Sequence, residues 1–245
     1  MTPQVSKLRD YEMKLLEDAV QDDISCGGFR IRTYRWGEGS KSILMVHGWE
    51  GQAGNFADIV PRLIDDGFCV YAFDGPAHGS SSKGEASIFA FMDTLTFMIH
   101  KIEPTYLLSH SFGGVATTYV LSRHPEFLIE KYVLMTTPDR FTERIQSISD
   151  QVGMSSKAIS ILIDRIEKKY NIYVPDMNVS DFVKRVNVKQ ALILHDENDS
   201  VIPLSQSQNV ADKWDACRLQ IVHGTGHFRI LRDEVVLEKI CTFLT

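Results

Sequence analysis

This chain of 245 residues lacks a cationic surplus, a long apolar run and paired cysteines. Lys and Arg total 26 against 32 Asp and Glu, a net charge of −6. A protein that tracks nucleic-acid phosphates needs a basic face, so nucleic acid is not an expected partner. A polybasic membrane anchor is disfavoured on the same ground. The longest unbroken apolar run is Phe68–Phe73, whereas a membrane span takes about 18 residues or more. Met1-Thr2-Pro3-Gln4-Val5-Ser6-Lys7 has no basic segment leading into an apolar one, so no secretory signal is expected. Cys26, Cys69, Cys217 and Cys241 are scattered without a C-x-x-C pair. That argues against a zinc knuckle or a redox dithiol and predicts a reducing, cytoplasmic setting. Also missing are a G-x-x-x-x-G-K-S/T loop and a G-x-G-x-x-G element, so no nucleotide cofactor is implied.

What is present is a composition able to bury a large core, 44% hydrophobic and 24% charged. Apolar residues at helical spacing predict a helix over Lys7–Val20. Strands are predicted over Phe29–Trp36, Ser42–His47, Phe68–Asp74, Thr105–Ser109, Lys131–Thr136, Gln190–His195 and Arg218–Val222. From Ser42 onward they are nearly continuous apolar runs, as in Ile43-Leu44-Met45-Val46, the pattern of strands covered on both faces. Helices are predicted between them over Asn55–Asp65, Ser87–Lys101, Phe112–Arg123, Leu204–Trp214 and Arg229–Phe243. This alternation predicts an α/β fold with a mostly parallel sheet and helices on both faces. The Phe- and Met-rich stretch Ser87–Lys101 reads as a helix packed on the sheet rather than a membrane or partner surface.

One interval breaks the rhythm. Arg140–Lys189 is far longer than a single crossover helix requires and holds helical patterns at Ser156–Tyr170 and Ser180–Val186. It reads as an insertion, dividing the chain into a core of residues 1–139 and 189–245 and a helical cap of residues 140–188. Phe141, Met154, Ile161, Tyr170 and Tyr173 of the insertion either roof a pocket or pack it onto the core.

Five segments carry chemistry. Ser109-His110-Ser111-Phe112-Gly113-Gly114 joins a strand to a helix, so Ser111 sits on a tight turn at a helix N-terminus, where backbone N–H groups favour negative charge. Serine is also a favoured N-cap, and alone it would carry little. His47-Gly48-Trp49-Glu50-Gly51 and Asp74-Gly75-Pro76-Ala77-His78-Gly79-Ser80-Ser81 each follow a strand. So do His195-Asp196-Glu197-Asn198-Asp199-Ser200-Val201-Ile202-Pro203 and His223-Gly224-Thr225-Gly226-His227-Phe228. His47, His78 and Asp74 form no spacing typical of a zinc site.

In this order the segments resemble the α/β-hydrolase family over about four fifths of the chain. The elbow resembles G-x-S-x-G, with Ser109 in place of the first glycine. The loop at His47 resembles H-G-x-x-G. The turn at Asp74 resembles D-x-P-G-H-G-x-S, with Ala77 in place of a glycine. The segment at His195 resembles H-G-x-x-D-x-x-V-P, with Asp196 in place of a glycine, and the last resembles G-x-G-H. The resemblance implies a triad of Ser111, Asp199 and His227, and an oxyanion hole from the N–H groups of Trp49 and Phe112. Asp196 and Glu197 are rivals for the acid, and His223 and His110 for the base. His47 is implied to orient loops. Glu50 and His110 are further candidates to touch substrate.

The implied activity is that of a serine hydrolase cleaving a small or medium carboxylic ester through an acyl-enzyme, with no metal or organic cofactor. A thioesterase, amidase, carbon–carbon bond hydrolase or acyltransferase would use the same triad, and a ligand-binding protein could share the fold. The expected partner is a small-molecule acyl substrate; the sequence leaves the oligomeric state open.

Overall fold

Strands in the middle of the sheet alternate their apolar side chains between two cores. Ile43 and Met45 face one cluster while Leu44 and Val46 face the other, so every position must be apolar. The computed structural model describes residues 2–245, with Met1 and the side chains of Ile148 and Gln151 outside the described residues. Eight strands form one sheet: β1 (Val20–Cys26), β2 (Phe29–Trp36), β3 (Lys41–Val46), β4 (Phe68–Phe73), β5 (Tyr106–His110), β6 (Ile129–Met135), β7 (Val188–Asp196) and β8 (Cys217–Val222). Their spatial order is β1-β2-β4-β3-β5-β6-β7-β8. β1 and β2 are antiparallel, β2 runs antiparallel to β4, and the pairs from β4 to β8 are parallel.

The helices are α1 (Asp10–Glu17), α2 (Val60–Asp65), α3 (Ile88–Ile102), α4 (Phe112–Arg123), α5 (Phe141–Gln151), α6 (Ser156–Tyr170), α7 (Val179–Phe182), α8 (Leu204–Ala211), α9 (Gly226–Arg229) and α10 (Glu234–Leu244). Leu16 of α1, Leu63 of α2 and Ile240 of α10 pack against one face, whereas Leu95 of α3, Val115 of α4 and Val210 of α8 pack against the other. The chain leaves β3 toward β4 on one side and returns to β5 on the other. The C-terminal ends of β3 and β5 therefore meet at a switch in strand order, where open α/β sheets form their binding crevice.

Several boundaries differ from the sequence expectation. β1 was not expected, because Val20-Gln21-Asp22-Asp23 is exposed and polar. It is held by a hairpin whose turn residues, Gly27 and Gly28, have φ of 55° and 81°. Asp23 also receives Arg30 and Arg32, each at 2.8 Å. The helix expected over Asn55–Asp65 is a short turn at Ala53–Phe56 followed by α2, and the one expected over Arg229–Phe243 is α9 followed by α10. α6 has the expected bounds: Ser155 Oγ caps its start and Asn171, in the left-handed region, ends it.

Between β6 and β7 lie α5, α6 and α7. The segment is fastened at its roots by the buried carboxylate of Asp139. Asp139 Oδ1 accepts Ser180 N at 2.7 Å, and Oδ2 accepts the Asn209 side chain. Tyr170 stacks on Phe89 of α3 at 3.7 Å between ring centroids, and Phe141 packs against the core, so these two hold the segment down. Ile161 and Tyr173 remain 46% and 62% exposed, so neither is spent on the core. No helix of the described residues is long and apolar enough to cross a membrane.

Candidate active site

The turn from β5 into α4 holds Ser111 at φ 53° and ψ −124°, a conformation that costs a residue with a side chain about 1–3 kcal/mol. Ser111 N donates to Met135 O at 2.9 Å and Gly114 N to Ser111 O at 2.9 Å, so the surroundings enforce the strain. Space here is as restricted as the backbone. A Cβ on Gly113 would run into Val46 O, and one on Gly114 into Thr137 Oγ1. Ser109, the larger residue at the elbow's first small position, is fully buried with its Oγ 2.7 Å from the Tyr132 hydroxyl. Tyr132 is thus the polar partner that makes a serine tolerable there.

The structure brings Ser111, His227 and Asp199 together from three separate strand ends. Ser111 Oγ lies 3.0 Å from His227 Nε2, and His227 Nδ1 lies 2.8 Å from Asp199 Oδ2. Asp199 Oδ1 accepts Val201 N at 2.7 Å and Ile202 N at 2.9 Å. Burial alone would raise the Asp199 pKa; the hydrogen bonds from His227 and from the Ile202 and Val201 amides outweigh it and hold the carboxyl below its usual range. A carboxylate anchored in this way sets the imidazole's tautomer and leaves Nε2 free to take a proton from Ser111.

The rival acids are engaged elsewhere. Asp196 is fully buried; its Oδ2 accepts Thr225 N at 2.6 Å and Thr225 Oγ1 at 3.0 Å, and its Oδ1 accepts Asn198 N at 2.9 Å. It therefore ties the acid-bearing turn to the loop that carries His227. Glu197 pairs with the exposed His223, Oε1 to Nδ1, at 2.8 Å.

His110, a candidate to touch substrate, turns its ring toward the backbone of His227. Its ring is buried, and Nε2 lies 2.8 Å from His227 O, so it braces the loop that carries His227. Burial pushes its pKa down to about 3.

The loop after β3 lies directly over the elbow. A Cβ on Gly48 would sit 3.1 Å from Ser111 Cβ, so only glycine lets this loop come so close. His47 Nε2 accepts Gly75 N at 3.0 Å and its Nδ1 lies 2.7 Å from Gly48 O, which joins the loops after β3 and β4. His78 Nε2 in turn accepts Glu50 N at 3.3 Å. Burial lowers both pKa values, to about 4 for His47 and about 3 for His78, so both rings are neutral and bound to backbone. Asp74 accepts Tyr34 Oη at 2.9 Å, Ala53 N at 2.8 Å and Ser80 N at 2.8 Å, although burial pushes its pKa up.

Trp49 N and Phe112 N have no hydrogen-bond acceptor among the described residues. The two rings meet edge to face at 5.6 Å, which joins the loop after β3 to the first residue of α4. Glu50 is exposed at φ 65°, and its Oε1 accepts Gln4 N at 3.2 Å, which turns the carboxylate toward the N-terminal segment. Reading the sequence did not single out Tyr132, Thr225, Asp139 or the half-buried Arg144 of α5, whose charge interacts with Asp199. The signal that was available for two of them was each departure from a small residue: Ser109 and Asp196 put a polar group where it must be buried, and each requires a partner.

The model of the family described as alpha/beta hydrolase fold matches residues 41–152. A serine hydrolase-like protein of Danio rerio is 29% identical over 143 residues, 52% of this chain and 43% of that protein. A pimeloyl-[acyl-carrier protein] methyl ester esterase of Neisseria meningitidis is 32% identical over 87 residues, 35% of this chain and 33% of that protein. The chain thus spans less than half the length of these curated relatives. The structure of Est1E from Butyrivibrio proteoclasticus with ferulic acid bound aligns with a TM-score of 0.72 at 16% identity, covering 91% of this chain and 97% of that one.

Proposed function

From the α/β-hydrolase fold and the match of that family's model to residues 41–152, we propose that the chain is a serine hydrolase cleaving a carboxylic ester of small or medium size through an acyl-enzyme. The observation that carries this reading is the hydrogen-bonded series Ser111–His227–Asp199, with the serine on a strained turn at the start of α4. Ser111 Oγ attacks the ester carbonyl while His227 Nε2 takes its proton. The carbonyl oxygen becomes an oxyanion facing Trp49 N–H and Phe112 N–H; each such donor lowers the barrier by about 3 kcal/mol. The tetrahedral species collapses as His227 returns the proton to the departing alkoxide, leaving an ester at Ser111. Water then gives a proton to His227 and attacks that ester; as the second tetrahedral species collapses, His227 returns the proton to the departing Ser111 Oγ, releasing the acid and restoring the serine.

The helices of residues 140–188 form the cap in this proposal, with the exposed Ile161 and Tyr173 available to a substrate's apolar part. The relative named as a methyl ester esterase supports an ester over the thioester, amide or carbon–carbon bond that the same residues could cleave. A fluorophosphonate probe should label the protein, and Ser111→Ala should abolish labelling while leaving the fold intact. p-Nitrophenyl esters of graded chain length should turn over with a maximum at short or medium acyl groups. Failure of the well-folded protein to label would replace this reading with a ligand-binding role on the same fold.

A further inference from the structure

Far from the triad, at the opposite end of the strands, where α3 and α4 run out before β5 and β6, two imidazoles and a carboxylate converge. His100 lies in the last turn of α3, His124 caps the end of α4, and Glu126 follows two residues later. One ligand atom from each falls within 4.8 Å of the others. We propose that these three residues form a surface site for a borderline divalent metal ion such as Zn²⁺.

Four observations support the site. His124 Nδ1 is already 2.9 Å from Glu126 Oε1. Phe127 packs against both imidazoles, stacking on His124 at 5.0 Å and meeting His100 edge-on at 4.6 Å, and so keeps the two rings side by side. α3 and α4 both end here, and the partial negative charge of a helix C-terminus favours a cation. The donor set also selects the ion: two imidazoles and one carboxylate suit Zn²⁺, Ni²⁺ or Cu²⁺, whereas Mg²⁺ and Ca²⁺ take oxygen.

Tetrahedral Zn²⁺ with bonds of about 2.0–2.1 Å keeps its ligand atoms about 3.3 Å apart. The present spread must therefore contract by about 1.5 Å. The exposed His100 and Glu126 side chains supply that movement in the proposed site by rotating about χ1 and χ2. Three protein ligands leave one position for water. The twelve residues of α4 separate this end from Ser111 by about 18 Å, so the ion would link two helix ends rather than take part in hydrolysis.

Equilibrium dialysis against Zn²⁺, on chelator-treated full chain without a polyhistidine tag, tests the proposal. The native protein should bind one Zn²⁺ that His100→Ala and His124→Ala each weaken by about tenfold or more, with Glu126→Gln intermediate. His223→Ala, which removes the exposed histidine paired with Glu197, should leave that affinity unchanged. Mg²⁺ should not compete. Zn²⁺ at about ten times its Kd should also raise Tm by roughly 3–6 °C in the native protein and not in His100→Ala. His100→Asn provides a second variant of similar size should His100→Ala lose its fold. Zn²⁺ binding unaffected by His100→Ala and His124→Ala, or no binding at millimolar Zn²⁺, would overturn the proposal.

Discussion

Asp196→Asn isolates the contact that joins the acid-bearing turn to the base-bearing loop. In the native protein both carboxylate oxygens accept hydrogen bonds, Oδ1 from Asn198 N and Oδ2 from Thr225 N and Oγ1. The amide is nearly isosteric but turns one acceptor into a donor. With the amide nitrogen in the place of Oδ2, the buried Thr225 N–H faces an NH₂ group and loses its acceptor. An unsatisfied buried N–H costs about 1–3 kcal/mol, and loss of the charge removes about 1 kcal/mol from the bonds that survive. The sum is about 3 kcal/mol, or a fall in Tm of roughly 6–12 °C for a chain of this size. Thr225 precedes His227 by two residues, so a slackened loop also moves the proposed base relative to Ser111. A displacement of about 1 Å at such a position can cost about a hundredfold. Steady-state kinetics on a p-nitrophenyl ester should show kcat reduced by about 10–100-fold with KM changed far less, and fluorophosphonate labelling slowed in parallel. A Tm drop of the expected size with kcat within twofold of native would refute the argument and reduce Asp196 to a structural residue.

Asp199→Asn should lower kcat by about 10³–10⁴-fold on the same ester, because the amide favours the wrong His227 tautomer; a loss under tenfold would exclude Asp199 as the acid. Tyr132→Phe should cost about 1–2 kcal/mol in urea unfolding by stranding Ser109 Oγ, and Ser109→Gly should recover part of that loss in the double variant; additive losses would show that the two hydroxyls act independently. Ala77 is held at φ 68°, so Ala77→Gly should raise Tm by about 1–3 °C, and a lowered Tm would mean that its buried methyl outweighs the backbone strain. His47, His78 and His110 have pKa values lowered by burial to about 4, 3 and 3. Their stabilising effect is complete above the unfolded histidine pKa, about 6.5, and is lost as pH falls toward the folded values. At pH 5 the unfolded chain binds about three more protons through these rings, a slope of about 4 kcal/mol per pH unit at most. Urea midpoints should fall steeply from pH 6.5 to 5, and a flat profile there would mean that these rings are not buried and neutral.

The parts of the fold visible in the sequence were those whose cause is local or periodic. Ile43-Leu44-Met45-Val46 has to be covered on both faces, and it lies at the centre of the sheet between two cores. Ser155 and Asn171 bound α6 by capping chemistry that needs no tertiary partner. β1 was hidden because Val20-Gln21-Asp22-Asp23 earns its strand conformation from the neighbouring β2 and from the Arg30 and Arg32 side chains, not from its own composition. The split of the last helical stretch into α9 and α10 was hidden for a related reason: its residues are good helix formers, and the loop carrying His227 is bent by its tie to Asp196.

The resemblance of five motifs, in their order, to those of α/β-hydrolases nominated Ser111, Asp199 and His227, because each motif holds particular residue types within a few positions. Which carboxylate of Asp196, Glu197 and Asp199 meets the imidazole, and that the His110 ring meets the His227 carbonyl, depended on directions that spacing along a chain does not encode. The same holds for the meeting of His100 with His124 and Glu126, which are remote in sequence and adjacent only because α3 and α4 end side by side. Residue type and local spacing determine what a side chain is able to do; the packing of strand and helix ends decides which neighbour it does it with.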